Sequence, residues 1–218
     1  MNTNSINPIN NSTSLQSWSK AWQNNQFRWK FIGTLILFSI IAFNAPTYLG
    51  YIQTRKGVVL NDFILESLPA LDVSNYIFVI LYSLVVYFLS RTLCNAQLFL
   101  LFSMTFVIET YFRMLTIYLF PLEPPLGLIE LSDPFAAIFI YGKKGAITHD
   151  LFFSGHTATM LIVCLFMKGK IQRFIAYLAA LIVIVLLLIQ HIHYTIDILG
   201  AFFFTFLAYF LAKRIYRI

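Results

Sequence analysis

The sequence has 218 residues, 59% of them hydrophobic and only 11% charged, where a soluble domain averages about 45–50% and about 25%. That balance excludes an ordinary soluble enzyme, because the apolar residues fall in runs long enough for a bilayer, roughly 17–25 per helical crossing. The formal net charge of +6 does not imply nucleic acid: the basic residues sit beside the apolar runs, and no basic recognition element is present.

Residues 1–30 are polar and rich in Asn and Ser, a composition that forms no core and predicts a loose tail on the membrane surface. The tail carries no signal-peptide pattern. Residues 31–218 form the membrane domain, with helices predicted over about 31–51, 73–90, 96–120, 152–168, 171–190 and 194–212. These are continuous apolar runs, unlike the alternating ten-residue segments of a β-barrel. The fold class expected is therefore all-α, an integral membrane bundle of six transmembrane helices. Cys94 and Cys164 lie in or beside apolar spans without paired spacing and read as buried thiols.

Lys and Arg orient the bundle. With the N-terminus cytoplasmic, one side holds Lys20, Arg28, Lys30, Arg91, Lys168, Lys170, Arg173, Lys213, Arg214 and Arg217. The other holds only Arg55, Lys56, Lys143 and Lys144, while Arg113 falls within the third span. This bias predicts that both termini are cytoplasmic.

The fourth and sixth helices then run in the same direction, and their N-terminal ends carry His156 and His193 on the non-cytoplasmic face. All four histidines (His149, His156, His191 and His193) gather there, beside Asp150 and Asp197. Ionisable residues at membrane depth are costly and mark functional cavities. Asp197 lies four residues after His193, on the same helical face, where its carboxylate can fix the imidazole tautomer. His156 opens a helix, where unpaired N–H groups favour an anion such as phosphate. Ser154 and Thr157 are either hydroxyl donors to substrate or helix caps. His149 and His191 read as structural or surface histidines. Arg113 is equally an intrahelical partner of Glu109 and a phosphate clamp. The proline-containing loop of about 121–151 is long enough for a partial lid.

The run Asp150–Thr157, DLFFSGHT, resembles the third signature of the sphingomyelin synthase family, and His193–Asp197, HYTID, resembles the fourth. Tyr111–Thr116 with Pro121–Pro124 looks like the second signature, in which an arginine-bearing helix leads into a proline-containing loop. The resemblance spans roughly residues 65–212, and the wider relationship is to the type 2 phosphatidic acid phosphatase superfamily. Thr148 and His149 stand where the third signature usually has Cys-Gly, and Leu68–Asp72 only approximates the first signature. The KxxxxxxRP run of the phosphatase branch is missing, and Leu187 stands where that branch has an SR pair.

The resemblance implies six spans, an exoplasmic His-His-Asp triad, and head-group transfer from a phospholipid donor to a lipid alcohol such as ceramide or diacylglycerol. His193 would be the nucleophile, Asp197 its orienting carboxylate and His156 the acid and base. Arg113, Asp150, Ser154, Thr157 and Tyr194 would bind substrate. No metal or cofactor is implied. Hydrolysis by the same triad is the second expectation, and a histidine-based metal site or a non-enzymatic channel the remaining ones. The expected location is a bacterial inner membrane, or the secretory pathway or plasma membrane of a eukaryote. The sequence leaves a homo-oligomer open.

Overall fold

The computed structural model describes residues 17–131 and 147–216. Lys143, Lys144, Arg217 and residues 1–16 of the tail lie outside the described residues. Among the described residues the regular structure is helical apart from an isolated bridge between Val58 and Leu122. The chain is an all-α membrane bundle. Its helices are α1 (Trp18–Gln23), α2 (Asn25–Gln53), α3 (Phe63–Glu66), α4 (Ser74–Thr92), α5 (Ala96–Leu119), α6 (Gly155–Phe166), α7 (Lys170–Ile189) and α8 (Thr195–Tyr216).

Five of these (α2, α4, α5, α7 and α8) are long and apolar enough to cross a membrane. The expected fourth span is shorter than its apolar run. Ser154 caps the start of α6, and extended Met167 ends it after 12 residues. Twelve residues rise about 18 Å, well short of a hydrocarbon core about 30 Å thick. The residues before α6 instead run beside α8, where Ser154 N donates to the Asp197 carbonyl at 3.2 Å.

The tail expectation also needs correction, because helix begins at Trp18 and α2 at Asn25. Asn24 Oδ1 caps α2 by accepting from the Gln26 and Phe27 amides. The Trp18 indole donates to the Leu93 carbonyl at 2.7 Å and packs on Phe27, Phe31 and Phe99. A few aromatic anchors thus order a segment whose average composition is polar.

Residue size, more than hydropathy, selects the inward faces. In α7 the buried stripe is Ala176, Ala180, Val183 and Leu187, and in α8 it includes Ala201, Thr205, Ala208 and Ala212. Small residues let helix backbones approach where lipid is as apolar as the core. The large side chains Ile171, Phe174, Phe203 and Phe210 are exposed on the outside of the bundle. Lys30 Nζ donates to the Tyr216 carbonyl at 3.0 Å, joining the start of α2 to the end of α8. The loops 54–73, 120–131 and 147–154 meet the α7–α8 turn at the other end, where the site lies.

Candidate active site

The α7–α8 turn and the start of α8 put His193 and Asp197 on one helical face. His193 Nδ1 lies 3.2 Å from Asp197 Oδ2, and the same oxygen accepts the Tyr194 amide at 2.9 Å. Asp197 is fully buried and His193 is 5% exposed. A carboxylate so placed accepts the Nδ1–H and leaves Nε2 as the basic nitrogen.

His156 sits in the first turn of α6, its ring centroid 6.4 Å from that of His193 and 6.0 Å from that of Phe78. The bond from Ser154 N to the Asp197 carbonyl locks the two helix starts in register. Both histidines line a cavity of about 50 Å³ together with Arg113, Asp150, Thr148 and Glu130. Leu128, Leu131, Ile147 and Ile192 also line it, so both described ends of the long loop reach the site.

Arg113 settles between its two sequence readings in a third way. Its ion pair is with Asp150 at 3.0 Å, and its Nε donates to the Phe153 carbonyl at 3.0 Å. Arg113 therefore fixes the segment entering α6 while remaining on the cavity wall. The glycine of SGHT follows from this approach: a Cβ on Gly155 would stand 2.9 Å from Arg113 Nε. Glu109 is buried instead beside Thr110, whose hydroxyl lies 3.4 Å from its Oε2.

Residues 149–214 match the family model described as PAP2 superfamily C-terminal. The match supports the type 2 phosphatidic acid phosphatase superfamily and fits phosphoryl-transfer chemistry in a membrane enzyme. It takes in both histidines of the site and Asp197, and it covers under a third of the chain. No curated protein matches the chain.

Within the matched PAP2 stretch, not every expected substrate contact faces the cavity. Ser154 is fully buried, and its Oγ accepts the Thr157 amide at 3.3 Å, the capping alternative. Thr157 is also fully buried. Neither lines the cavity. Tyr194 turns away from it: its hydroxyl donates to the Glu123 carbonyl at 3.0 Å and accepts the Leu60 amide at 3.3 Å. Burial raises the phenol's pKa. His149 Nε2 pairs with Glu123 Oε2 at 3.0 Å. His191 places its two ring nitrogens 3.1 and 3.2 Å from the Leu126 and Leu68 carbonyls. Both rings thus contact groups of the flanking loops. Among the described residues, no three His, Cys, Asp or Glu side chains form a metal-binding group.

Three braces outside the triad carried no signal in the sequence pattern. Asp62 Oδ2 accepts the Thr195 amide at 2.5 Å and Oδ1 accepts the Thr195 hydroxyl at 3.0 Å, so a distant loop caps α8 beside His193. Desolvation opposes ionisation of Asp62, but the hydrogen bonds from Thr195 and Leu65 outweigh it and lower its pKa. Glu123 Oε1 accepts the Gly57 amide at 2.8 Å while its other oxygen holds His149. Fully buried Gln190 accepts the Val73 amide and donates to Ser74 Oγ. The capping carboxylate of Asp62 lies 133 residues from its partner, beyond the reach of any local motif.

Proposed function

We propose that this chain is a lipid head-group phosphotransferase of the sphingomyelin synthase-like kind, working through a phosphohistidine. The observation that carries the reading is the meeting of the His193–Asp197 pair with His156 across one cavity, next to Arg113 and Asp150.

His193 Nε2 attacks phosphorus of the donor phospholipid, forming a P–N bond as the P–O bond to the diacylglycerol oxygen breaks. His156, protonated, gives its proton to that leaving oxygen. The Asp197 carboxylate holds the Nδ1–H and stabilises positive charge on the ring as the bond forms. In the second half, neutral His156 takes the proton of an acceptor lipid hydroxyl, whose oxygen attacks phosphorus and expels His193. Arg113 and Asp150 bound the place where the head group sits, the guanidinium facing phosphate oxygens and the carboxylate a cationic head-group nitrogen. The Lys and Arg distribution supports a site on the non-cytoplasmic side.

Transfer is favoured over hydrolysis by the SGHT and HYTID likeness without KxxxxxxRP. The test supplies labelled phospholipid with ceramide and diacylglycerol to the purified protein and to His193→Ala. A new labelled lipid made by wild type alone supports transfer. Soluble labelled phosphate product without new lipid makes the chain a hydrolase, and equal activity in the variant removes His193 from the mechanism.

A further inference from the structure

The end of the bundle opposite the triad holds a second, differently built site. A cavity of about 310 Å³ opens between the α4–α5 turn and the α6–α7 turn, with Arg91, Asn95, Lys168 and Gln172 on its wall. Its floor is apolar, made by Phe88, Leu98, Phe166 and Met167. Tyr87 and Gln172 are shared with a groove of about 490 Å³ that continues between α4 and α7. Val79, Ile80, Leu84, Ile175 and Ala179 line that groove, with Ser83 as one polar member. A polar mouth therefore leads into an apolar channel at lipid depth.

The charges at the mouth are unbalanced. Arg173 donates to the Met167 carbonyl and Lys30 to the Tyr216 carbonyl, so those cations brace the fold. Among the described residues, Arg91 and Lys168 make no ion pair or side-chain hydrogen bond, and both are exposed. None of the chain's nine acidic residues lies in 74–108 or 151–196, the stretches that make both walls. Lys168 is held at the mouth by a tight turn, with Gly169 at φ +94° and the Met167 amide bonded to the Val163 carbonyl.

We infer that this cleft binds one anionic phospholipid, its phosphate between Arg91 and Lys168 and an acyl chain along the α4–α7 groove. Two cations with no carboxylate suit an anionic head group and offer nothing to the ammonium of a zwitterionic one. A free phosphate would leave the apolar channel without a purpose, whereas a lipid uses both parts. The site is separate from the triad: Lys168 lies twelve residues beyond His156, about 18 Å along the α6 direction.

The experiment is native mass spectrometry of the full chain in detergent, given phosphatidylglycerol and phosphatidylcholine of identical acyl chains in equal amounts. Wild type is expected to retain phosphatidylglycerol about tenfold over phosphatidylcholine. Arg91→Gln with Lys168→Gln should abolish that preference, while Arg91→Lys with Lys168→Arg should keep it. Ala179→Phe, which fills the groove without touching charge, should lower phosphatidylglycerol retention by itself. A wild type without preference overturns the inference, as does a preference that survives the double glutamine change, which would locate the lipid elsewhere. Should the glutamine pair fail to fold, unchanged retention in Ala179→Phe overturns it equally.

Discussion

The two ends of the bundle are built from opposite materials. At the triad end, three loops and the α7–α8 turn are stitched by Asp62, Asp72, Glu123, Asp150 and Gln190, each holding groups far away in sequence. At the other end, 17–30, 91–96, 166–173 and 209–216 contain no acidic residue, and among the described residues they are joined by aromatic packing, by the Trp18 indole on the Leu93 carbonyl and by Lys30 on the Tyr216 carbonyl. The difference teaches where precision is needed. The proposed chemistry needs the His193 and His156 rings to hold their mutual position, and the flanking loops are pinned by directional bonds. At the opposite end Lys30 and Arg173 are tied to backbone carbonyls, and Arg91 and Lys168 are the cations that the proposed lipid site would use.

The largest test of this contrast is Asp197→Asn. With the imidazole's tautomer no longer fixed, kcat should fall by about 10³–10⁴ while the protein elutes and melts like wild type. A loss below tenfold would mean that the best-braced residue of the triad end is structural, and the contrast between the ends would lose its functional meaning.

A smaller effect compares one device at both ends. Asp62 caps α8 beside the triad, and Asn24 caps α2 at the opposite end. Asp62→Asn keeps the shape but weakens the cap, and kcat should fall about tenfold with KM within twofold, since a misplacement of the nucleophile costs rate more than binding. Thr195→Val should give a similar loss, and the double variant little more. Asn24→Ala should cost about 1 kcal/mol of stability and leave kcat alone. If Asp62→Asn lowers only the melting temperature, Asp62 braces the fold and positions nothing.

The sequence made the long apolar helices and the His193–Asp197 pairing legible for the same reason: each is local. Apolar runs reveal helices, and a four-residue spacing puts Asp197 under His193. It misled where the deciding contact was distant or a matter of size. The run 152–168 has spanning hydropathy, yet its helix covers only Gly155–Phe166, and the segment before it is tied to α8 by the bond from Ser154 N to the Asp197 carbonyl. Tyr194 belongs to the HYTID signature, yet its hydroxyl is occupied by the loop carrying Leu60 and Glu123. Arg113 had a tempting partner one turn away in Glu109, and the fold gave it Asp150 instead. No periodicity encodes which loop closes on which.

The mildest prediction concerns that loop closure. The Gly57 amide holds the Glu123 carboxyl below its ordinary pKa against desolvation, with the His149 contact adding to the effect. A carboxyl lowered in the folded state contributes its stability above its unfolded pKa, about 4.3. The contribution disappears as pH falls through the folded value. Glu123→Gln should therefore melt below wild type at pH 7, and the two curves should converge in acid. A constant gap at every pH would mean that Glu123 braces the loops through shape alone. Convergence would instead show that the triad end, unlike the other, is held partly by ionised carboxylates and loosens selectively in acid.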